Sequence, residues 1–244
     1  MSAYGIFLAG VALVTLFVLV LAQLTQRQLT IREDGVVLVG EQRITTIQLY
    51  GNVFFSQLLI GGLILALLWV SAVPPTALAI DARIDVDLIA LGLGLGIVLY
   101  LGNEASVHLL DRLGVAYSER LRTALTPTRG TGWVMLLGVV LPTIAVVEEL
   151  LFRAAIIGAG IAGFGLDPIL LVVLSAALFA IGHGAQGMGG ILVTGVLGLV
   201  LGAAFVYWGS LLVVVVAHYV INVLEFIVHA SPIPSRVRSL VVTR

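Results

Sequence analysis

VEELLFR, residues 147–153, places three charged side chains inside a run that is otherwise apolar from Trp133 to Gly158. A charged side chain at the centre of a bilayer costs about 2.5 kcal/mol or more, and such residues usually face the protein interior, where they pair or serve a site. The stretch therefore predicts a membrane helix with a buried polar site. The rest of the chain has to supply the partners of Glu148, Glu149 and Arg153.

The composition supports a membrane protein. Hydrophobic residues make up 60% of the 244 residues and charged residues 10%, whereas soluble domains have roughly 25% charged residues. A formal net charge of -1 lacks the basic field that nucleic acid requires, so we expect membrane lipids and no nucleic acid as partners. The absence of cysteine excludes disulfides, thiolate catalysis and cysteine-ligated metal.

Runs of about 20 apolar residues, the length that crosses a bilayer, recur along the chain. They predict an all-α fold, a polytopic membrane helical bundle of about seven transmembrane helices that forms a single integral membrane domain, residues 1–244. We expect the fourth helix to kink at Pro142, and it is long enough to tilt or to be broken in two. The expected spans are Tyr4 to Leu24, Thr46 to Val73, Val86 to Leu110, Gly132 to Gly163, Pro168 to His183, Met188 to Trp208 and Leu211 to Ala230.

Two glycine patterns lie within the expected spans. Gly92-x-Gly94-x-Gly96 resembles a nucleotide-binding fingerprint, but no strand precedes it. Glycines in a membrane helix more often allow another helix to approach closely. We therefore expect this pattern and Gly198-x-x-x-Gly202 to be helix-packing faces.

The arginines predict an orientation. Loops 25–45 and 111–131 and the tail from 231 carry ten of them, whereas the intervening loops carry only Arg83. Because cytoplasmic loops are rich in positive charge, we expect a multi-pass protein of the cell membrane, with its N-terminus outside and its C-terminus cytoplasmic. The ten are Arg27, Arg32, Arg43, Arg112, Arg120, Arg122, Arg129, Arg236, Arg238 and Arg244.

On the fourth helix, Glu149 and Arg153 have the spacing and order that favour an ion pair along one helix face. Glu148 points about 100° away and has no partner at that spacing, which makes it a candidate general base. Counting along straight helices puts Glu148 about 24 Å into its helix and His218 about 12 Å into the seventh. These two residues would share a depth only if the fourth helix is shifted, tilted or kinked.

Further polar residues follow on the fifth and seventh helices. Phe179 and His183 share one face of the fifth, and His218 and Asn222 share one face of the seventh. Glu225 and His229 continue the latter stripe, and we expect them at the membrane interface. None of these groups can be satisfied by lipid, so packing should bring the motif residues together. Carboxylate, imidazole and carboxamide groups suit water activation and oxyanion stabilisation, and hence amide hydrolysis.

Glu148-Glu149-x-x-x-Arg153, Phe179-x-x-x-His183 and His218-x-x-x-Asn222 resemble, in order and spacing, the three motifs of the CPBP (Abi) family of CAAX prenyl proteases and bacteriocin-processing enzymes. The resemblance covers roughly residues 130–225. It implies a protease-like core at about 130–230, preceded by additional N-terminal helices within residues 1–115. Ala154 departs from the glycine that often follows the arginine in this family.

The resemblance also implies roles. Glu148 would polarise a water that His183 helps to hold, His218 and Asn222 would stabilise the oxyanion, and Glu149, Arg153 and Phe179 would support the site. The expected function is an intramembrane endopeptidase acting on a membrane-associated protein or peptide, with CAAX-type C-terminal processing as one form.

Two points stay open. Zinc could be bound by Glu148, His183 and His218 with water in the fourth position, but His218 and Asn222 suit an oxyanion hole equally well. The sequence does not decide between a metalloprotease and a glutamate-type protease, nor does it fix the oligomeric state. The alternatives to an enzyme are a non-catalytic membrane scaffold or sensor and a proton-coupled transporter; no repeat of the polar pattern between the two halves supports transport.

Overall fold

The computed structural model describes residues 2–32, 36–81 and 85–230. Eight helices account for most of this chain, and short 3-10 turns at Pro75–Leu78 and Gly184–Gln186 separate some of them. The helices are α1 (Ala3–Gln28), α2 (Thr46–Ser71), α3 (Val86–Arg112), α4 (Arg120–Leu125), α5 (Gly130–Phe164), α6 (Pro168–Gly182), α7 (Gly187–Trp208) and α8 (Leu211–Ala230).

The chain is a polytopic membrane bundle, as expected. Six helices of the described chain, namely α1, α2, α3, α5, α7 and α8, are long and apolar enough to cross a bilayer. The fifth expected span differs, because α6 has only 15 residues and is about 22 Å long against a hydrocarbon core of about 30 Å. The helix is therefore too short to cross the hydrocarbon core, and His183 follows directly at its C-terminal end.

Local signals explain where the helices begin. Thr45 and Gln48 form a capping box at the start of α2, in which each side chain accepts a hydrogen bond from the other residue's backbone. Asp85 caps α3, and Asp167 caps α6 by accepting from the backbone N–H of Leu170 at 3.0 Å. These caps satisfy backbone donors that would otherwise be unpaired at helix ends, and they hold the bounds close to those predicted.

The long helix α5 is continuous rather than broken in two. It contains two π-helical segments, Leu136–Val140 and Leu150–Gly158. The first ends two residues before Pro142, which has no backbone N–H to donate. Local π-type bonding is one way in which a membrane helix pairs the backbone groups that a proline frees. The second begins directly after Glu149 and contains Arg153. The wider π turns change the rotation of the helix on both sides of the glutamate pair.

The loop between α1 and α2 forms a small antiparallel sheet that was not predicted. Its strands are β1 (Leu29–Ile31), β2 (Val37–Val39) and β3 (Gln42–Ile44), with β2 in the middle and Leu38 opposite Arg43. Gly40, in the turn between β2 and β3, has φ 60°, a left-handed conformation that suits glycine. The sheet contacts α4, so the two arginine-rich loops meet.

The bundle core depends on glycine contacts of the kind predicted. A Cβ on Gly92 or Gly96 of α3 would lie 2.8 Å from a backbone carbonyl oxygen of α8, that of Val213 or Ala217. On α7, a Cβ on Gly198 would lie 3.1 Å from the Cα of Ala176 in α6. These close approaches let α8 pack on α3 and α7 on α6. The packing of α8 on α3 fixes the position of α8, which carries His218.

Contacts between helix ends in the described chain define two opposite sides of the bundle. On one, Tyr50 Oη in α2 donates to the carbonyl oxygen of Leu125 at 2.6 Å, which joins α2 to the arginine-rich loop 111–131. On the other, the backbone N–H of Leu211 donates to the carbonyl oxygen of Ala79 at 3.2 Å. Arg83 and the arginines beyond 230 lie outside the described residues, so the direction of insertion stays a prediction.

Candidate active site

Glu149 is at the centre of the polar site. Its Oε1 accepts a hydrogen bond from Arg153 Nη1 at 2.9 Å, and the side chains of both residues are 0% exposed. The ion pair predicted from their spacing is therefore present. The same oxygen lies 2.7 Å from His218 Nδ1, a contact between α5 and α8 that the sequence did not predict. One carboxylate oxygen thus binds two nitrogen donors.

Arg153 connects three helices. Besides Glu149, it donates from Nη2 to the carbonyl oxygen of Gly198 on α7 at 3.3 Å. Its guanidinium carbon lies 4.7 Å from the centroid of the Phe179 ring on α6, within the range of a cation–π interaction. The ring of Phe179 in turn packs against His183, with centroids 4.5 Å apart. The buried arginine therefore sets the positions of α5, α6 and α7 around the site.

The contact with Glu149 orients the ring of His218. A carboxylate can only accept, so Nδ1 carries the hydrogen that lies between them. The other nitrogen, Nε2, lies 3.8 Å from Glu148 Oε2, beyond hydrogen-bond distance but close enough for one small group to contact both. His218 thus presents Nε2 to the adjacent carboxylate, and Glu149 holds it in that orientation.

Glu148 lines a cavity of about 580 Å³ between α1, α2, α5 and α6. Its side chain is 18% exposed, and Oε1 lies 3.5 Å from Gln57 Nε2 on α2. Its Oε2 is buried and has no hydrogen-bond partner within the described ranges of the chain. Glu148 is therefore the freer carboxylate of the pair, as its place on the helix predicted.

His183 lies where two cavities meet. Its Nδ1 is 2.8 Å from the carbonyl oxygen of Phe179, so Nδ1 donates there and Nε2 is the nitrogen left for another partner. His183 and Phe179 line both the large cavity, which includes Glu148, and a small one of about 110 Å³, which includes His218 and Asn222. The residues predicted on α5, α6 and α8 therefore line two cavities that share Phe179 and His183.

Polar residues beyond the three motifs also line the small cavity. They are Asn103, Tyr117 and Glu225. Burial raises the pKa of Tyr117, in the loop before α4, to about 12, so its hydroxyl stays neutral and can donate. A volume of this size accommodates roughly three waters at about 30 Å³ each.

The set of side chains predicted for zinc does not form a compact site. Within the described chain, the one group of three histidine or acidic side chains whose ligand atoms all lie within 4.8 Å of one another is Glu104, Glu225 and His229. Ligands of a tetrahedral zinc lie about 2.0 Å from the metal and hence closer together than that. Glu148, His183 and His218 as placed therefore do not fit a zinc ion.

Glu225 and His229, which we expected at the membrane interface, belong to a cluster of ion pairs. Arg122 Nη1 lies 2.7 Å from Glu225 Oε1, and His229 Nε2 lies 2.7 Å from Glu104 Oε1. Asn103 Nδ2 also lies 3.4 Å from Glu225 Oε2. This ion-pair cluster joins α3, α4 and α8. Because Arg122 already binds Glu225, the cluster is explained by the protein's own charges.

Sequence reasoning missed Gln57 and the α3 residues Asn103 and Glu104. Each is a polar residue in an otherwise apolar span, which is itself a signal. This signal does not identify the residue that each of them contacts, because contacts between helices depend on how each helix is rotated about its axis. Gln57 meets Glu148 across 91 residues of sequence.

Residues 130–224 match the family model described as type II CAAX prenyl endopeptidase Rce1-like. No match was found among curated proteins or among solved structures. The matched segment runs from the start of α5 into α8 and contains every motif residue named above: Glu148, Glu149, Arg153, Phe179, His183, His218 and Asn222. The resemblance drawn from the three motifs is confirmed over this segment, which is similar to the Rce1-like CAAX prenyl endopeptidases.

Proposed function

We propose that the protein is an intramembrane endopeptidase in which Glu148 activates the attacking water. The observation that carries this proposal is the state of Glu148 Oε2, a buried oxygen without a hydrogen-bond partner in the described part of the chain, 3.8 Å from His218 Nε2. An acceptor in this state needs a donor. Water reaching it from the large cavity would supply one.

In the proposed reaction, Glu148 and His183 act on the water, and His218 and Asn222 act on the scissile carbonyl group. Glu148 accepts a proton from water while the water oxygen bonds to the scissile carbonyl carbon, and the carbonyl electron pair moves to oxygen. His218, held through Nδ1 by Glu149, and Asn222 stabilise that oxyanion, with His218 donating from Nε2 as an imidazolium. Glu148 then passes its proton to the leaving amine as the C–N bond breaks. His183 helps to hold the water.

The lining of the large cavity supports a membrane-associated substrate. Most of its lining is apolar, from Val18 and Leu21 on α1 to Phe152 and Phe179 beside the site. An apolar chamber within a membrane bundle suits a substrate that is itself membrane-associated. We propose a CAAX-type C-terminus as the substrate class and a cell-membrane location with the arginine-rich loops in the cytoplasm.

The test is hydrolysis by purified protein in phosphatidylcholine proteoliposomes. The probe is an internally quenched peptide ending in a farnesylated Cys-aliphatic-aliphatic-X sequence, alongside the same peptide without the lipid. Glu148→Gln is nearly isosteric and should abolish cleavage while the protein stays folded and inserted. Glu41→Gln makes the same chemical change in the turn before β3, where the residue is exposed, and should leave the rate unchanged.

Full activity in Glu148→Gln protein would refute the assignment of the base. A folded wild-type protein that cleaves neither peptide would instead favour the non-catalytic scaffold for this substrate class.

A further inference from the structure

Gln57 lies on α2, outside the segment 130–224 that matches the family model, yet its amide nitrogen lies 3.5 Å from Glu148 Oε1. We propose that Gln57 is a positioning residue for hydrolysis. It holds the Glu148 carboxylate in place and accepts the second hydrogen of the attacking water. The inference rests on the proposed function, because it assigns Gln57 a task in the step that Glu148 performs.

Charge decides which end of the amide contacts Glu148. A carboxylate only accepts hydrogen bonds, so the NH2 group must face it; the opposite orientation would bring two acceptors together. The carbonyl oxygen of the amide, Oε1, is then directed elsewhere. This oxygen is buried and has no hydrogen-bond partner in the residues that the structure describes, and the same holds for Glu148 Oε2. Two contacting side chains therefore each carry one buried acceptor in need of a donor.

Packing between α2 and α5 fixes this contact. Gly61 follows Gln57 by one helical turn, and a Cβ at Gly61 would lie 3.1 Å from Cγ2 of Val147, the residue before Glu148. Ile60 and Ile64 on the same helix are 7% and 0% exposed and belong to one buried cluster with Val147. The absence of a side chain at Gly61 thus sets how closely α2 approaches α5. Gln57 reaches Glu148 because of that register.

A single water can serve both acceptors. It donates one hydrogen to Glu148 Oε2 and the other to Gln57 Oε1, which leaves an oxygen lone pair for the scissile carbonyl carbon. As the O–C bond forms, the first hydrogen transfers to Glu148 as a proton, and it later leaves with the amine. Gln57 neither gains nor loses a proton, and its effect is to orient. Orientation acts on the chemical step more than on substrate binding.

The experiment compares Gln57→Leu with Gln23→Leu in the farnesylated-peptide assay. Gln23 lies on α1 and is exposed, so the control makes the same chemical change within the membrane bundle but away from Glu148. We expect kcat of Gln57→Leu to fall roughly ten- to a hundred-fold, the effect of losing a hydrogen bond to a charged group. Its KM should stay within about twofold, and Gln23→Leu should match the wild type in both.

An unchanged kcat, or a raised KM with kcat intact, overturns the inference. If Gln57→Leu folds poorly, Gln57→Glu decides, because it keeps the size and shape of the side chain and replaces the NH2 donor by a carboxylate oxygen. We expect that variant to lose at least as much kcat. Wild-type kcat in Gln57→Glu would show that no donor is needed there.

A double-mutant cycle separates failure of this inference from failure of the proposed function. Melting temperatures in detergent are measured for Gln57→Leu, Glu148→Leu and the double variant, and they require no substrate. If the two side chains bind each other, the two changes are not additive. Additive changes overturn the inference even if the wild type cleaves the peptide, and non-additive changes support the contact even if the wild type does not.

Discussion

Glu149 binds both Arg153 and His218 through a single carboxylate oxygen, so at the scale of single residues it has two tasks. It neutralises a buried guanidinium, and it fixes which nitrogen of His218 carries a hydrogen. The sequence indicated the first task through the four-residue spacing. The second depends on the meeting of α5 and α8, which are separated by 69 positions at this contact.

Replacing Glu149 by glutamine should therefore reduce both stability and activity. Removing one partner of a buried ion pair leaves the other charge uncompensated, which typically costs about 3–5 kcal/mol. We expect a lower melting temperature, a lower yield and loss of cleavage. Glu119→Gln is the matched control, since Glu119 also pairs with an arginine, Arg122, but is 54% exposed; exposed ion pairs add little. Normal yield and activity in Glu149→Gln would argue against the buried pair.

The placement of Glu148, His183 and His218 also gives a prediction for metal dependence. Their ligand atoms do not form a group within 4.8 Å, so we expect hydrolysis to continue after treatment with 1,10-phenanthroline and EDTA. Elemental analysis of the active protein should find less than stoichiometric zinc. Loss of activity that is restored by adding zinc back would contradict this expectation.

At the scale of helices, α3 and α8 form a pairing that holds the site together. Gly96 packs on the backbone of Ala217, the residue directly before His218, and Gly92 makes the equivalent contact one turn earlier. Gly94 lies on the same helix, but within the described chain nothing lies within 4 Å of the Cβ it would gain. The predicted packing face is therefore formed by two of the three glycines.

Because Gly96 contacts α8 and Gly94 does not, Gly96→Ala and Gly94→Ala are a matched pair of variants. In Gly96→Ala the new methyl group would lie 2.8 Å from the Ala217 carbonyl oxygen and 2.7 Å from Val220 Cβ, so α8 must shift. Such overpacking typically costs about 1–3 kcal/mol, and cleavage should fall because His218 moves with α8. Gly94→Ala should be neutral or slightly stabilising, since alanine favours helix over glycine by about 1 kcal/mol. Equal melting temperatures for the two variants would show that Gly96 does not limit the approach.

At the scale of the whole molecule, the structure places the arginine-rich loops 25–45 and 111–131 against each other. Thr46 Oγ1 lies 3.5 Å from the carbonyl oxygen of Ala124, beside the contact between Tyr50 and Leu125. The 3-10 turn Pro75–Leu78 lies at the other end of the bundle, next to the start of α8. We expect the arginine-rich end to be cytoplasmic.

The absence of cysteine allows a direct test of orientation. Single variants Glu41→Cys, on the arginine-rich side, and Thr76→Cys, in the 3-10 turn, each introduce one thiol at an exposed position. A membrane-impermeant maleimide added to intact cells should label Thr76→Cys, whereas Glu41→Cys should react only after permeabilisation. The reverse pattern would contradict the predicted orientation.

The membrane class, most helix bounds and the motif residues of the candidate site follow from the sequence alone. Hydropathy, capping residues and motif spacing are local properties that can be counted along one segment. For this reason the spans predicted to begin at Val86 and Leu211 agree with the structure. The Glu149–Arg153 pair was predictable on the same ground, because both residues lie on one helix.

Which residues of different helices contact each other becomes known only from the folded arrangement of the helices. That Gln57 contacts Glu148, that Glu149 holds His218 and that α6 ends short of the bilayer thickness all depend on the rotation and depth of whole helices. Contacts between residues distant in sequence, such as Gly61 with Val147, set these quantities together with the π-helical turns of α5. Hydropathy cannot supply them, because a bilayer selects apolar length but not the direction in which each side chain points.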